Sequence, residues 1–284
     1  GFIKLATEPL RLIFIQGQNC LGCTTSLTYG NEYQFSDFIL RIANLQVHPA
    51  LSFSQGAAFI ERLEQAREQG DYILVIEGSV PVGIKQACYL GEWPLADVLG
   101  DYAMAAQTII SSGTCASHGG IPASAGNELG AVSVEDFLSR KNIIKPLLKL
   151  PGCPVHPDHL MGSVAYITET GQLPPSKEGK PQSYFGETIH NHCGRFQHFT
   201  QDRYLTDYET ESTYCLLKQG CRGPITFADC PSRRWNGKVS SCIESSAPCV
   251  GCKTEQWPFK DSLYLSAKNF EDIPWSSMKK RAQK

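Results

Sequence analysis

The sequence predicts a doubly wound α/β domain with a parallel sheet, followed by a smaller, loop-rich region. Three observations carry this. Short apolar runs ending in glycine recur through the first half, helix-like segments lie between them, and the second half crowds cysteine among Gly, Pro, Asn, Asp and Ser. Strands buried on both faces of a parallel sheet read as continuous apolar runs, which is the pattern here.

In chain order, RLIFIQG at 11–17 is the first strand. GAAFIERLEQAREQG at 56–70 sets apolar residues at helical spacing between two glycines and reads as a crossover helix. YILVIEG at 72–78 and TIISSG at 108–113 are the next strands. SVEDFLSRK at 133–141 opens with a serine cap and an acidic first turn, so it predicts a helix. PLLKLPG at 146–152 is the fourth strand. The expected division is 1–165 for the sheet domain and 166–284 for the loop-rich one.

Composition bounds the function. With 284 residues and 42% hydrophobic content, the chain can bury a sizeable core, as one large domain plus a smaller one. A net charge of -2 offers no basic face for phosphates, so nucleic acid is not an expected partner. The terminal run MKKRAQK reads as a solvated tail. No apolar run reaches the ~18 residues of a membrane span, and no charged-then-apolar leader opens the sequence. A start at Gly1 rather than Met is compatible with a leader, and an anchor at the other end, having been removed.

Twelve cysteines are too few for a small disulfide scaffold and many for an ordinary core. Cys20 and Cys23 follow the first strand, Cys115 the third and Cys153 the fourth. Ligands of open parallel sheets bind beyond the carboxyl ends of the strands, so these four thiols are expected to converge. A lone CxxC fits a zinc clip or a redox dithiol equally well. Two further cysteines at equivalent strand ends favour a four-thiolate site for zinc or an iron-sulfur cluster. The second region needs staples to stay ordered. Its candidates are HNHC at 190–193, CLLKQGC at 215–221, CPSRRWNGKVSSC at 230–242 and CVGC at 249–252. His190, Cys193, Cys215 and Cys221 make one set of four, and Cys230, Cys242, Cys249 and Cys252 another. Disulfides or two zinc sites remain open on spacing alone.

Taken in order, CLGC, GTCASHGGIPA, PGCPVHPD, HNHC, GCRGP, ADCPSRRWN and PCVGC resemble the small, electron-transferring subunit of nickel-iron hydrogenases, over roughly residues 10–255. The resemblance implies a flavodoxin-like first domain and three 4Fe-4S clusters. Cys20, Cys23, Cys115 and Cys153 match the proximal ligands; His190, Cys193, Cys215 and Cys221 match the distal ones. Cys230, Cys249 and Cys252 match the medial ligands. Cys242 stands where many relatives have proline and supplies a fourth thiolate, so the medial site is expected to hold 4Fe-4S rather than 3Fe-4S. Cys88 is left over and reads as a small buried hydrophobe.

No catalytic residue is expected in this chain. The nickel-iron centre lies in the partner, the hydrogenase large subunit, and electrons pass on to an acceptor such as a cytochrome or another redox protein. The alternatives are a hydrogen-sensing hydrogenase, the cluster-bearing subunit of a respiratory quinone reductase, and a zinc-stapled interaction protein. Some relatives add cysteines at the positions of Gly22 and Gly120, and those sulfurs are absent here. Glu77 reads either as an acid near the interface with the partner or as one at an exposed loop start. His118 and His156 read as hydrogen-bonding neighbours of the proximal cluster or as satisfied loop histidines. A permanent interface of ~2,000 Å² or more with the partner is expected over the crevice. YFGETIHNHC is closer to exported relatives and HPALSFSQG to cytoplasmic ones. The expected location is periplasmic or membrane-peripheral after processing, with cytoplasmic as the alternative.

Overall fold

The computed structural model describes residues 10–259; the run MKKRAQK, expected as a solvated tail, lies outside them. Strands β1 (Arg11–Gln16), β2 (Asn44–Val47), β3 (Tyr72–Glu77), β4 (Thr108–Ser112) and β5 (Leu147–Leu150) form one sheet in the order β2-β1-β3-β4-β5. Every pair is parallel. This is the flavodoxin-like order expected from the sequence. Four strands fall on the four apolar runs. The strand that the runs do not mark is β2, whose NLQV is short and begins exposed at the sheet edge, so it never becomes a continuous apolar stretch.

Helices α1 (Gly22–Ser26), α2 (Ala57–Gln69), α3 (Leu95–Ala105), α4 (Gly113–His118), α5 (Val134–Arg140) and α6 (Pro157–Thr170) flank the sheet. The glycines bracketing α2 both have positive φ, 57° at Gly56 and 63° at Gly70, where a side chain would be strained. Ser133 caps α5 as its sequence implies, its hydroxyl accepting from the Asp136 amide at 3.1 Å. Helices α3 and α6 were not among the expected elements. Almost all of α6 is buried, polar Asp158, His159, Ser163 and Thr168 included, so its burial does not follow an apolar stripe. It starts instead on a local signal: the His156 side chain accepts from the Asp158 amide, and Pro157 takes the first turn.

Side chains alternate across the sheet. Leu12, Phe14, Ile73, Val75 and Ile110 pack on one face with Leu160 and Val164 of α6. Ile13, Ile15, Leu74, Ile76 and Ile109 pack on the other with Leu63, Leu99 and Phe137. The first of these cores continues into the loop-rich region through Phe185, Ile189, Leu205, Leu216 and Ile243. Beyond that shared core, the region has a small cluster of Phe199, Cys215 and Leu217.

Polar contacts of long sequence separation fasten the same join. The Asn31 side-chain amide donates to the carbonyls of Arg233 (3.0 Å) and Arg234 (3.1 Å), and its oxygen accepts from the Lys238 amide (3.1 Å). The Arg233 guanidinium reaches across to Glu32 at 3.2 Å.

Candidate metal centres

All twelve cysteines are free thiols, so the disulfide alternative is not realised. The sheet delivers the first set. Cys20 and Cys23 flank the start of α1 after β1, Cys115 lies in α4 after β4, and Cys153 follows β5. Their proximity is felt electrostatically. Burial pushes the Cys115 thiol up to about 11, and the nearby Cys153 and Cys20 push the same way. Cys23 is raised by burial first, then by Glu77, Cys115 and Cys153. Glycine is needed where the backbone meets these sulfurs. A Cβ at Gly113, whose φ is +85°, would lie 2.4 Å from the Cys23 Sγ. One at Gly120 would lie 2.8 Å from the Cys115 Sγ.

The second set gathers in a small pocket lined by His190, Cys193, Cys215, Cys221 and Arg195. His190 is 5% exposed and sits edge-on to Phe196 and Phe199. Burial lowers its pKa to about 4, so the imidazole is neutral at physiological pH, the state a metal ligand requires. Its Nε2 is buried with no hydrogen-bond partner. A buried ring nitrogen left unpaired is costly unless a bound group completes it.

Cys230, Cys242, Cys249 and Cys252 line one cavity of about 430 Å³, together with Thr226, Trp235 and Lys253. Cys153 of the first set borders the same cavity. Burial raises Cys252 to about 11, with Cys230 acting in the same direction. Cys249 is raised by burial and next by Cys221, which links this set to the second. Thiolate sulfur and neutral imidazole are donors that an iron-sulfur group takes, and the orphaned His190 Nε2 fits such a bound group.

Backbone amides point at the sulfurs. Val155 donates to Cys23, Arg195 to Cys193, Gly223 to Cys221 and Gly251 to Cys249, each at 3.4 Å. Thr114 ties two sets together. Its hydroxyl accepts from the Gly152 amide at 2.8 Å and donates to the Cys252 carbonyl at 2.5 Å. The sequence held no signal for that role beyond the place of Thr114 beside Cys115.

Glu77 and Cys88 depart from an expected setting. Glu77 is not at an exposed loop start; it is 2% exposed at the end of β3, accepts a hydrogen bond from Thr24, and the same hydroxyl meets His48 Nε2 at 3.1 Å. Cys88 is only half-buried against the second core, because its short helical turn lies at the protein's edge. His156 is committed to structure, capping α6 and meeting the Arg234 carbonyl at 2.7 Å. His118 keeps Nε2 buried and without a hydrogen-bond partner.

Residues 185–265 match the family model for the C-terminal part of the NiFe/NiFeSe hydrogenase small subunit. Residues 20–167 match that of the NADH ubiquinone oxidoreductase 20 Kd subunit, the likeness around the first set that the quinone-reductase alternative anticipated. The periplasmic [NiFeSe] hydrogenase small subunit of Desulfomicrobium baculatum is 30% identical over 94% of this chain and 91% of its own. The uptake hydrogenase small subunit of Bradyrhizobium diazoefficiens is 32% identical over 95% of this chain and 75% of its own. In structure, the [NiFeSe] hydrogenase of Desulfomicrobium baculatum superposes with a TM-score of 0.86 over 92% of this chain and 100% of that one. That of Desulfovibrio vulgaris Hildenborough, 32% identical, gives 0.85 over 92% and 99%. With both halves matched and identity sustained over nearly the full length of chain and relative, this chain belongs to the small-subunit family of nickel-iron hydrogenases, oxidoreductases that act on H2 as heterodimers with a large subunit.

Proposed function

We propose that this chain relays electrons between the nickel-iron site of the large subunit and an external acceptor through three 4Fe-4S clusters. Cys20, Cys23, Cys115 and Cys153 would hold the proximal one, Cys230, Cys242, Cys249 and Cys252 the medial one, and His190, Cys193, Cys215 and Cys221 the distal one. The observation that carries this reading is the grouping of all twelve donors into three adjoining sets of four, with Cys153 bordering the medial cavity and Cys249 beside Cys221. When bound, the clusters supply one-electron redox chemistry.

The chain's own part is to bury these sites, exclude water and set potentials. Amide donors to Cys23, Cys193, Cys221 and Cys249 spread sulfur charge and favour the reduced state. A neutral His190 in place of a thiolate leaves the distal set less anionic than its neighbours, which raises its potential and draws electrons toward it. The same reading keeps two parts, 1–165 with the proximal set and 166–284 with the other two. No helix among the described residues is long and apolar enough to cross a membrane. The periplasmic relative supports a periplasmic or membrane-peripheral location, and the acceptor is a cytochrome or another redox protein.

The test is iron and acid-labile sulfide analysis of the purified heterodimer with spectroscopy of each centre. The expected result is about twelve sulfides and about thirteen irons per heterodimer, one iron belonging to the nickel-iron site and twelve to the small subunit. His190→Cys should retain the distal cluster at a lower potential; an unchanged distal spectrum and potential would remove His190 from the ligands.

A further inference from the structure

Lys253 is an unusual neighbour for a set of thiols. It follows Cys252 directly, is only 5% exposed, and lines the same cavity of about 430 Å³ as Cys230, Cys242, Cys249 and Cys252. Its Nζ is buried with no hydrogen-bond partner. The Phe185 ring lies 5.4 Å from that nitrogen and offers a cation–π contact. Asp229, an acid that senses its charge, is already engaged by His159 at 2.9 Å and by Arg233 at 2.6 Å. An ammonium enclosed without an acceptor is strongly disfavoured, so its presence calls for an anion in the space it borders.

The cavity's own chemistry supplies that anion. Four thiolates around a four-iron core carry net negative charge, one unit more when reduced than when oxidised. A fixed cation at the wall therefore stabilises the reduced form more than the oxidised form, because Coulomb attraction grows with the charge on the centre and is weakly screened in a buried site. Unlike the set containing His190, this one has four anionic ligands once Cys242 is included.

We propose that Lys253 is a potential-setting residue of the Cys230, Cys242, Cys249 and Cys252 set, its ammonium acting as fixed countercharge that raises the reduction potential of the four-iron centre held there. The inference rests on the four-iron reading of that set given above.

The experiment is a spectroscopically monitored redox titration of the holo heterodimer for wild type, Lys253→Met and Lys253→Arg, with iron and sulfide counted in each. Lys253→Met should lower the reduced-to-oxidised ratio of the medial centre at least tenfold at fixed ambient potential, a 59 mV shift for one electron. Lys253→Arg should stay near wild type, and the other two centres should move less. An unmoved medial midpoint in Lys253→Met with full iron content overturns the proposal, as does an equal shift in Lys253→Arg. If Lys253→Met loses the medial iron, Lys253→Gln decides. Loss from both neutral variants with retention in Lys253→Arg supports the countercharge role, and loss from all three refutes it. A three-iron signal in undamaged wild type would strike the four-iron reading itself, while the Met-against-Arg comparison would still judge the charge.

Discussion

Thr114 is the point where a small change should travel furthest. It is 1% exposed, accepts from the Gly152 amide at 2.8 Å and donates to the Cys252 carbonyl at 2.5 Å. One hydroxyl thus fastens the loop carrying Cys153 to the loop carrying Cys252. Thr114→Val keeps the shape and removes the hydroxyl, leaving an amide and a carbonyl in the interior without their bond. Each such group costs about 1–3 kcal/mol, so the combined loss is about 2–6 kcal/mol. For a chain of this size, at about 2 °C per kcal/mol, that corresponds to a fall in melting midpoint of about 4–12 °C. The assay is thermal unfolding of the loaded heterodimer at one protein concentration and one scan rate, since partner binding and slow steps both shift the midpoint. Thr114→Ser retains the hydroxyl and should recover most of the loss. A Thr114→Val midpoint within about 1 °C of wild type, with Thr114→Ser no better, would refute the reasoning.

Three further outcomes follow from other sites. Cys242→Pro should lower iron from about twelve to about eleven per chain and produce a 3Fe-4S signal at higher potential from the medial set; an unchanged count would place Cys242 outside the ligands. Gly113→Ala puts a Cβ 2.4 Å from the Cys23 Sγ at a φ of +85°, so the proximal centre should be lost while the other two remain, as read by iron count and spectroscopy. His48 is fully buried, and burial lowers its pKa to about 4. The unfolded chain therefore binds the extra proton first, and stability falls as pH drops from about 6.5 toward 4, by roughly 3 kcal/mol from this one group. Denaturation midpoints across that window should fall less steeply in His48→Gln, and parallel slopes would contradict the assignment.

The sheet was legible because its chemistry is local and repetitive. RLIFIQ, YILVIE and TIISS each carry an unbroken apolar run, since parallel strands covered on both faces have no solvent side. Ser133 announced α5 and the paired glycines announced α2 for equally local reasons. Helix α6 was not legible, because it is buried nearly all round with Asp158, His159, Ser163 and Thr168 inside, so burial does not follow its apolar residues. The cysteine groupings could be drawn from spacing together with the rule that sites gather at strand carboxyl ends, while the ligand roles proposed for them rest on the family resemblance. Thr114 and Lys253 could not. Their importance lies in what tertiary folding sets against them, a carbonyl in one case and a cavity wall in the other. Glu77 shows the same limit: an acid before a glycine looks solvated, yet Thr24 and His48 enclose it.

The clasp made by Asn31 has a consequence for biosynthesis. Its partner carbonyl at Arg233 lies 202 positions further along the chain. A ribosome adding about 5–20 residues per second covers that gap in about 10–40 s. Through this interval the nascent sheet can form, but the face that will meet Phe185, Leu216 and Ile243 has nothing yet to cover it. The young polypeptide therefore carries a sticky flank and a half-built crevice of reactive thiols at once, and a chaperone that shields both until residue 238 has emerged would answer a need written into this connectivity.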